Sequence, residues 1–372
     1  MKRILVIATR QIGDVLLTTP LIRAARLRWP EAKIDLLGLQ GQLGMVAGNP
    51  DVNHCIETPA RFGVADALGL AIRLWRRYDL ALIAEPGDRA HILGWLAAPI
   101  RSGLMPGPNR SNWWKRRLLD HQVPLGGDLG NTHVVIEKLA LLGPWSDPAV
   151  TSETPPVVPP AARPLPEDIA SQLQPGFLVV HAPSMWAFKQ WPIESYASVV
   201  RQLLVDGHQI VLTGSGSARD HECVSALTRL APSQSLIDAS GRLDFCQLRT
   251  LLERSRLYLG PDTSVTHLAA ACGKPTVAIF GPTNPQRWAP WPTHALAPIR
   301  IHRSKSGQAV GNVCILQGRG SCVPCGKAGC DDHRDSLSTC LQAVSPAEVL
   351  DAIAAQLGQD LKPYQGQAEA LR

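Results

Sequence analysis

The feature that most constrains the fold of this chain is a recurring pairing of a short apolar run with a longer amphipathic one. In the N-terminal half, the apolar runs cover Ile4 to Ala8, 33–39 and 79–84, and helical apolar spacing covers 15–28 and 132–142. Strands that are apolar throughout are buried on both faces, as in a parallel sheet covered by helices. The sequence therefore predicts an α/β fold with doubly wound sheets.

A proline-rich stretch, TPPVVPPAARPLPED, interrupts this alternation once. Proline fixes φ and lacks an N–H donor, so the stretch continues neither a helix nor a sheet. The alternation then restarts with FLVVHA, QIVLTG and LID, and at 372 residues the chain is long enough for two domains. We expect an N-terminal Rossmann-like domain (1–153), a linker (154–167), a C-terminal Rossmann-like domain (168–345), and a closing helix with a tail (346–372). Two such domains in tandem would face a central cleft.

Composition limits the class of protein. The chain is 45% apolar with a net charge of +6, and its acidic residues are spread among the basic ones, so the charge does not indicate nucleic-acid binding. The N-terminal apolar run ends within five residues, which fits a buried strand better than a signal peptide. No run approaches the roughly 18 apolar residues of a membrane span. A cytoplasmic protein is expected.

The segment from Leu257 to Pro285 predicts a strand, a polar turn, a helix, a second strand and a second turn. Asp262 and Thr263 stand where the helix begins, and a helix N-terminus attracts anions such as phosphate. His267 follows Thr263 by one turn, so both can face one ligand. The alternative is an ordinary capped helix in an α/β core.

Three further polar residues follow predicted strands. Asp14 stands at the start of the first helix, where it is either a base or an N-cap. After FLVVHA, Ser184 and Lys189 lie in the loop PSMWAFKQWP, and the lysine either neutralises a phosphate or is a solvated surface charge. Asp220 follows GSGS and either accepts from ribose hydroxyls or is a helix-end charge. The glycine spacing of a dinucleotide fingerprint and the Walker lysine motif are absent from the sequence.

The segment RSNWWKRRLLDH interleaves basic and aromatic residues. Arg110, Lys115, Arg116 and Arg117 surround two tryptophans. This composition suits an anionic, partly apolar surface such as a phosphorylated glycolipid at a membrane. The alternative is a solvated basic loop packed over its tryptophans.

Four of the nine cysteines cluster toward the C-terminus, as Cys322-x2-Cys325-x4-Cys330-x9-Cys340. Cytoplasmic cysteines seldom form disulfides, and a CxxC pair with two further cysteines can bind a tetrahedral structural zinc ion. Reduced packing cysteines and redox pairs are the alternatives.

Several segments together resemble one family, the lipopolysaccharide heptosyltransferases of glycosyltransferase family 9. They are RILVI with GDVLLTTPLIRAAR, the loop HAPSMWAFKQWP, GSARDHE, and DTSVTHLAAACGKPTVAIFGPTNP. The likeness runs from Arg3 to Leu350, and GSARDHE is more similar to the members that add the second heptose. One departure is Ser264, which stands where the family motif D-[ST]-G has glycine, and where a side chain would crowd a phosphate or add a hydroxyl contact.

The resemblance implies a GT-B fold and an inverting transfer of heptose from ADP-heptose to the inner core of lipopolysaccharide, at the cytosolic face of the inner membrane. It implies that Asp14 is the catalytic base and that the N-terminal domain binds the acceptor, a Kdo-lipid A type of glycolipid. For the nucleotide sugar, it implies that Ser184 and Lys189 bind the diphosphate, Asp220 the ribose, and Asp262, Thr263 and His267 the nucleotide and its phosphates. A lysine and a helix N-terminus would replace a divalent metal, so no cofactor is expected for catalysis.

Two other functions fit the sequence. One is a GT-B transferase or epimerase that uses another nucleotide sugar. The other is a non-catalytic, zinc-stabilised adapter at a membrane or nucleic-acid surface, which would need neither Asp14 nor Lys189.

Overall fold

The computed structural model describes residues 1–61, 63–107, 112–125, 131–146, 154–293 and 306–358. The chain divides after Ala161 into two compact units, and this point falls within the predicted linker 154–167. No helix among the described residues is long and apolar enough to cross a membrane.

The first unit contains a six-stranded parallel sheet in the order β3-β2-β1-β4-β5-β6. Its strands are β1 (Arg3–Ala8), β2 (Lys33–Leu39), β3 (His54–Thr58), β4 (Leu80–Ile83), β5 (Ile100–Met105) and β6 (His121–Pro124). Its helices are α1 (Ile12–Leu16), α2 (Thr19–Arg28), α3 (Val64–Leu74), α4 (Asp88–Ala97), α5 (Trp113–Leu118) and α6 (Val134–Leu139).

Helices cover this sheet on both faces. Successive residues of a strand point to opposite faces, so Ile4 and Val6 of β1 enter one core cluster, while Leu5 and Ile7 enter the other. Burial on both sides explains why β1 is apolar from Ile4 to Ala8.

The predicted helix over 15–28 is two helices, because helical structure is interrupted after Leu16. Pro20 has no N–H to donate to the Leu16 carbonyl, and the Thr19 hydroxyl donates to that carbonyl instead, at 2.7 Å. The expectation of one continuous helix was therefore wrong.

The second unit contains a seven-stranded sheet in the order β12-β13-β11-β10-β7-β8-β9, parallel except for the β12–β13 pair. Its strands are β7 (Leu178–His181), β8 (Ile210–Thr213), β9 (Leu236–Asp238), β10 (Leu257–Pro261), β11 (Thr276–Phe280), β12 (Gln308–Val310) and β13 (Val313–Gln317). Its helices are α7 (Glu167–Ala170), α8 (Ile193–Val205), α9 (Ala218–Leu230), α10 (Phe245–Arg254), α11 (Ser264–Ala271), α12 (Pro285–Trp288), α13 (Thr339–Gln342) and α14 (Pro346–Leu357).

The predicted closing helix is α14. Ser345 and Glu348 form a capping box at its start, and Gly358 ends it in the left-handed conformation. With both sheets covered by helices, the predicted α/β class with two doubly wound units is confirmed.

Candidate active site

The sheet order of the second unit brings three polar loops together. Strand β10 lies between β7 and β11, and all three run parallel, so the loops that follow them meet at one edge of the sheet. The loop after β7 carries Ser184 and Lys189, β10 leads directly into Asp262, and β11 leads into Thr283.

Lys189 and Asp262 form a largely buried ion pair at this edge, with Lys189 Nζ 2.6 Å from Asp262 Oδ2. Burial by itself would raise the pKa of Asp262. The charges of Lys189 and His267, with hydrogen bonds from Lys189 and Thr283, outweigh burial, so the pKa lies below its usual value. The carboxylate is therefore ionised at neutral pH, and it compensates the lysine charge while no phosphate is bound.

The helix that follows Asp262, α11, begins at this pair. Within the described residues, the side chain of its N-cap residue, Thr263, accepts no hydrogen bond from the helix N-terminus. The first-turn N–H groups therefore have no side-chain cap from Thr263. His267 is buried one turn further along, as the spacing predicts.

Positions 260 and 264, on either side of Asp262, differ in whether they require glycine. A side chain on Gly260 would meet the buried Tyr258 hydroxyl, because an added Cβ would lie 2.2 Å from that oxygen. Ser264, by contrast, is not among the non-glycine residues with positive φ, which in the described chain are Arg76 and Asp332. The backbone therefore accepts a serine at position 264 without strain.

Gln190 holds the loop after β7 in shape. Its amide nitrogen donates to the Ala182 carbonyl at 2.8 Å, and its amide oxygen accepts from the Ser184 backbone N–H at 3.0 Å. The Ser184 side chain is buried, and its hydroxyl accepts from the Trp186 N–H at 3.4 Å. Gln190 thus positions Ser184, one of the two loop residues predicted to bind a diphosphate, and the sequence pattern did not indicate this role.

Asp220 lies in the first turn of α9. Its Oδ2 accepts from the Ser215 backbone N–H at 2.7 Å, so this carboxylate organises the GSGS turn. The predicted hydrogen bond from a ribose hydroxyl would have to go to a lone pair of the carboxylate that the Ser215 N–H does not use.

In the first unit, Asp14 lies in α1 beside a buried lysine that the sequence analysis also missed. Lys138 of α6 is only 2% exposed, and its Nζ donates to the Asp14 carbonyl at 2.7 Å and to Thr18 Oγ1 at 2.8 Å. The same Nζ lies 3.9 Å from Asp14 Oδ1. Burial lowers the pKa of Lys138, and the charges of Asp14 and Glu85 oppose that shift.

A signal for Lys138 existed in the sequence. It follows Val134 by four residues and precedes Leu141 by three, so it lies on the apolar side of its helix. A lysine at such a position is buried only if partners hold its ammonium group.

Glu85 is a buried carboxylate close to Asp14. It follows β4, and its Oε1 accepts from the Thr9 hydroxyl, whereas its Oε2 has no hydrogen-bond partner among the described residues. Burial raises the pKa of Glu85, and the Asp14 charge adds to this shift.

Of the four basic residues that were predicted to bind an acceptor, the structure describes three, and these differ in exposure. Arg116 and Arg117 are exposed, and the Arg117 guanidinium lies over the Trp113 ring at 5.0 Å. Lys115 is buried, pairs with Asp88 at 2.5 Å and donates to the Pro86 carbonyl. Its ammonium group is used inside the first unit, which corrects its assignment to an open surface. Arg110 lies outside the described residues.

The predicted zinc ligands lie near one another without forming a chelating group. Cys322, Cys325 and Cys330 are exposed and Cys340 is buried. Burial raises the pKa of Cys340 to about 11, and the charges of the other three thiols contribute, which shows their proximity. Nevertheless, no group of three or more His, Cys, Asp or Glu side chains in the described chain is arranged to hold a metal ion.

The cysteine-containing segment packs against the site loops of the second unit. The Ser338 hydroxyl donates to the Phe188 carbonyl at 2.8 Å, and the Gly326 N–H donates to the Pro282 carbonyl at 2.8 Å. The segment therefore supports the loops after both β7 and β11.

Comparison with known proteins gives consistent matches. Residues 129–314, half of the chain, match the model of glycosyltransferase family 9 (heptosyltransferase). Lipopolysaccharide heptosyltransferase 3 of Escherichia coli is 28% identical over 289 residues, covering 75% of this chain and 83% of the relative. Lipopolysaccharide heptosyltransferase 2 of Salmonella typhimurium is 26% identical over 339 residues, covering 82% and 91%. The solved structure of E. coli ADP-heptose LPS heptosyltransferase II superposes with a TM-score of 0.69 at 20% identity, covering 96% of this chain and 98% of that one, and so shares its fold.

Proposed function

The chain belongs to glycosyltransferase family 9, the heptosyltransferase family, and on that premise we propose that it transfers heptose from ADP-heptose to the inner core of lipopolysaccharide. The observation that carries this proposal is the Lys189–Asp262 pair at the edge of the second sheet. The pair lies in the segment matched by the family model, beside the start of α11, which the Thr263 side chain does not cap.

Donor binding is assigned to the second unit. Ser184 and Lys189 bind the diphosphate of the sugar nucleotide, and Asp220 binds the ribose. Asp262, Thr263 and His267 complete the site around the phosphates and the heptose. A lysine ammonium and helix N–H groups supply positive charge to the leaving diphosphate, so the transfer is proposed to need no divalent metal.

Asp14 is assigned as the base. The acceptor hydroxyl attacks the anomeric carbon of heptose, a new C–O bond forms as the bond to the ADP phosphate breaks, and ADP leaves with the electron pair. The hydroxyl proton passes to the Asp14 carboxylate. Displacement from the side opposite ADP inverts the anomeric centre. Lys138 supports this role, because it fixes the Asp14 backbone and places a cation near the carboxylate.

Acceptor binding is assigned to the first unit. Arg116 and Arg117 are exposed cations suited to the phosphate and carboxylate groups of a Kdo-lipid A type of acceptor. Arg110 stays part of the proposal on sequence grounds, whereas Lys115 is left out because it is buried. Since that acceptor is anchored in a membrane, the enzyme is proposed to work at the cytosolic face of the inner membrane.

A structural zinc ion is a separate part of the proposal. Its support is the spacing of Cys322, Cys325, Cys330 and Cys340 and the proximity of the four thiols. Zinc binding would require the three exposed thiols to draw in toward Cys340.

Nucleotide selectivity tests the proposed function directly. ADP should raise the thermal unfolding temperature in a saturable manner, while UDP and GDP at equal concentrations should not. Preference for UDP or GDP would favour a transferase or epimerase with another nucleotide sugar. Absence of any nucleotide effect would favour the non-catalytic adapter.

A further inference from the structure

Helices α3, α4 and α5 cover the same face of the first sheet. Their inward residues, such as Leu70 of α3, Leu93 of α4 and the nearby Leu119, belong to one core cluster. α3 packs against α4, and α4 packs against α5. The outer sides of the three helices therefore form one continuous surface.

That surface carries apolar side chains where a solvated helix would carry polar ones. We name it the α3–α5 face and define it by Val64, Leu68, Ile72, Trp75, Trp95 and Trp113. Four of these residues lie on one side of α3 and its C-cap, three or four positions apart. The exposed fractions of Val64, Leu68, Ile72 and Trp75 are 89%, 61%, 67% and 54%. α3 is thus apolar both toward the core and toward solvent, a pattern that marks an interaction site.

The three tryptophans give this face the character of a membrane interface. Trp75 and Trp95 meet edge to face, with ring centroids 6.2 Å apart, and Trp113 on α5 is 58% exposed. Tryptophan is enriched where lipid headgroups meet the acyl region, because its ring is apolar while its N–H is polar. A mixed aliphatic and tryptophan surface suits that boundary.

The charge around the face is positive. Exposed arginines follow α3 at Arg76 and Arg77 and stand on α5 at Arg116 and Arg117. The acidic residues of the three helices are Asp66 and Asp88, fewer than the exposed arginines. Asp66 accepts from the Gly63 N–H at 3.2 Å, and Asp88 pairs with Lys115.

The positive charge favours one of two partners for this face, which are a second copy of the chain and an anionic membrane. A second copy joined through a two-fold axis would bring this predominantly positive face against the same positive face, which is unfavourable. Anionic phospholipids would instead pair with the arginines while the apolar side chains enter the headgroup boundary.

We propose that the α3–α5 face docks the protein onto an anionic phospholipid surface, with Leu68, Ile72 and the tryptophans inserted and the arginines on the headgroups. The choice of a membrane as the partner rests on the proposed function, because the acceptor is a membrane glycolipid. The surface itself is distinct from the donor site of the second unit.

Vesicle co-sedimentation tests the docking surface without any acceptor. The full chain is mixed with vesicles of phosphatidylcholine alone or with phosphatidylglycerol added. We expect binding to the anionic vesicles, and a loss of at least about tenfold in partitioning for Leu68→Gln/Ile72→Gln. Arg76→Gln/Arg77→Gln should weaken binding mainly at low salt. The control Leu27→Gln/Val205→Gln, which changes two comparably exposed apolar residues elsewhere, should bind like the wild type.

Two results would overturn this inference. One is equal partitioning of the wild type and Leu68→Gln/Ile72→Gln. The other is a wild-type dimer that the same substitutions dissociate, with no vesicle binding, which would make the face an interface between copies. Heptose transfer to detergent-dispersed truncated lipopolysaccharides, without vesicles, separates the two proposals: if the wild type transfers heptose to none of them while the vesicle difference persists, only the proposed function is wrong.

Discussion

Lys189 Nζ lies 2.6 Å from Asp262 Oδ2, although 73 positions of the chain separate the two residues. The pair joins the loop after β7 to the start of α11, so one contact fixes two of the elements proposed to hold the diphosphate. A bound phosphate must either contact the Lys189 ammonium group together with Asp262 or displace Asp262 from it.

Replacement of Lys189 by methionine should weaken ADP binding by about 10- to 100-fold, because a charge-assisted contact to the phosphate is lost. It should also lower the unfolding temperature, since Asp262 is left buried without its cation. Lys189→Met/Asp262→Asn is the matched control: it should recover stability without recovering ADP affinity. Calorimetric titration and thermal unfolding give both values, and wild-type ADP affinity in Lys189→Met would remove the lysine from the donor site.

Replacement of Lys138 by methionine tests whether this lysine supports the base. Loss of the lysine removes the hydrogen bonds to the Asp14 carbonyl and the Thr18 hydroxyl, so the base is less well positioned and kcat should fall by about tenfold. Arg10, Glu85 and Glu137 also act on the Lys138 charge and stay in place. ADP affinity should not change, and the exposed control Lys33→Met should behave like the wild type. A fall in ADP affinity that matches the fall in kcat would show that Lys138 acts only through packing.

His181, at the end of β7, should make stability depend on pH. Burial lowers its pKa from 6.5 to about 4, so the unfolded chain binds this proton more readily than the folded one. The stability contribution is complete above about pH 6.5 and is lost as the pH falls toward 4, by about 2 kcal/mol between pH 7.5 and pH 5. Denaturant unfolding of His181→Gln should show a flatter pH dependence by this amount, while the exposed control His333→Gln should not. Equal slopes for all three proteins would contradict the buried, neutral imidazole.

The cysteine segment allows a metal test with two readouts. If zinc binds there, protein purified without added zinc should contain about one equivalent, and Cys322→Ser/Cys325→Ser should lose it. Because Ser338 and Gly326 anchor this segment to the donor loops, the variant should also bind ADP more weakly. Cys55→Ser, which changes an exposed cysteine of the first unit, is the control. Zinc-free wild-type protein with normal ADP binding would leave the four residues as reduced thiols.

The local pattern predicted the buried strands and the polar ends of those strands. β1 after Arg3, β4, β7 before His181 and β10 are almost entirely apolar, because helices cover both faces of the parallel sheets. β5 was missed because its sequence, IRSGLM, interrupts the apolar run with arginine, serine and glycine.

Contacts between distant parts of the chain were not predictable from spacing. Lys138 reaches Asp14 across 124 residues, and no local pattern indicates that distance. The basic run around Lys115 was predicted to bind an anionic glycolipid or to form a solvated loop, yet Asp88 and the Pro86 carbonyl hold that lysine inside the unit. Ser264 was expected either to crowd a phosphate or to add a hydroxyl contact, and both stay predictions; its backbone has no positive φ that would require glycine.

The most direct test of heptose transfer uses purified protein, ADP-heptose and a panel of truncated lipopolysaccharides of defined length, with the product followed by mass spectrometry. The account predicts addition of one heptose to one member of the panel, which also identifies the acceptor position. It further predicts a loss of about 100-fold or more in turnover for Asp14→Asn with ADP affinity retained. No transfer by the wild type to any acceptor, or near-normal turnover by Asp14→Asn, would contradict it.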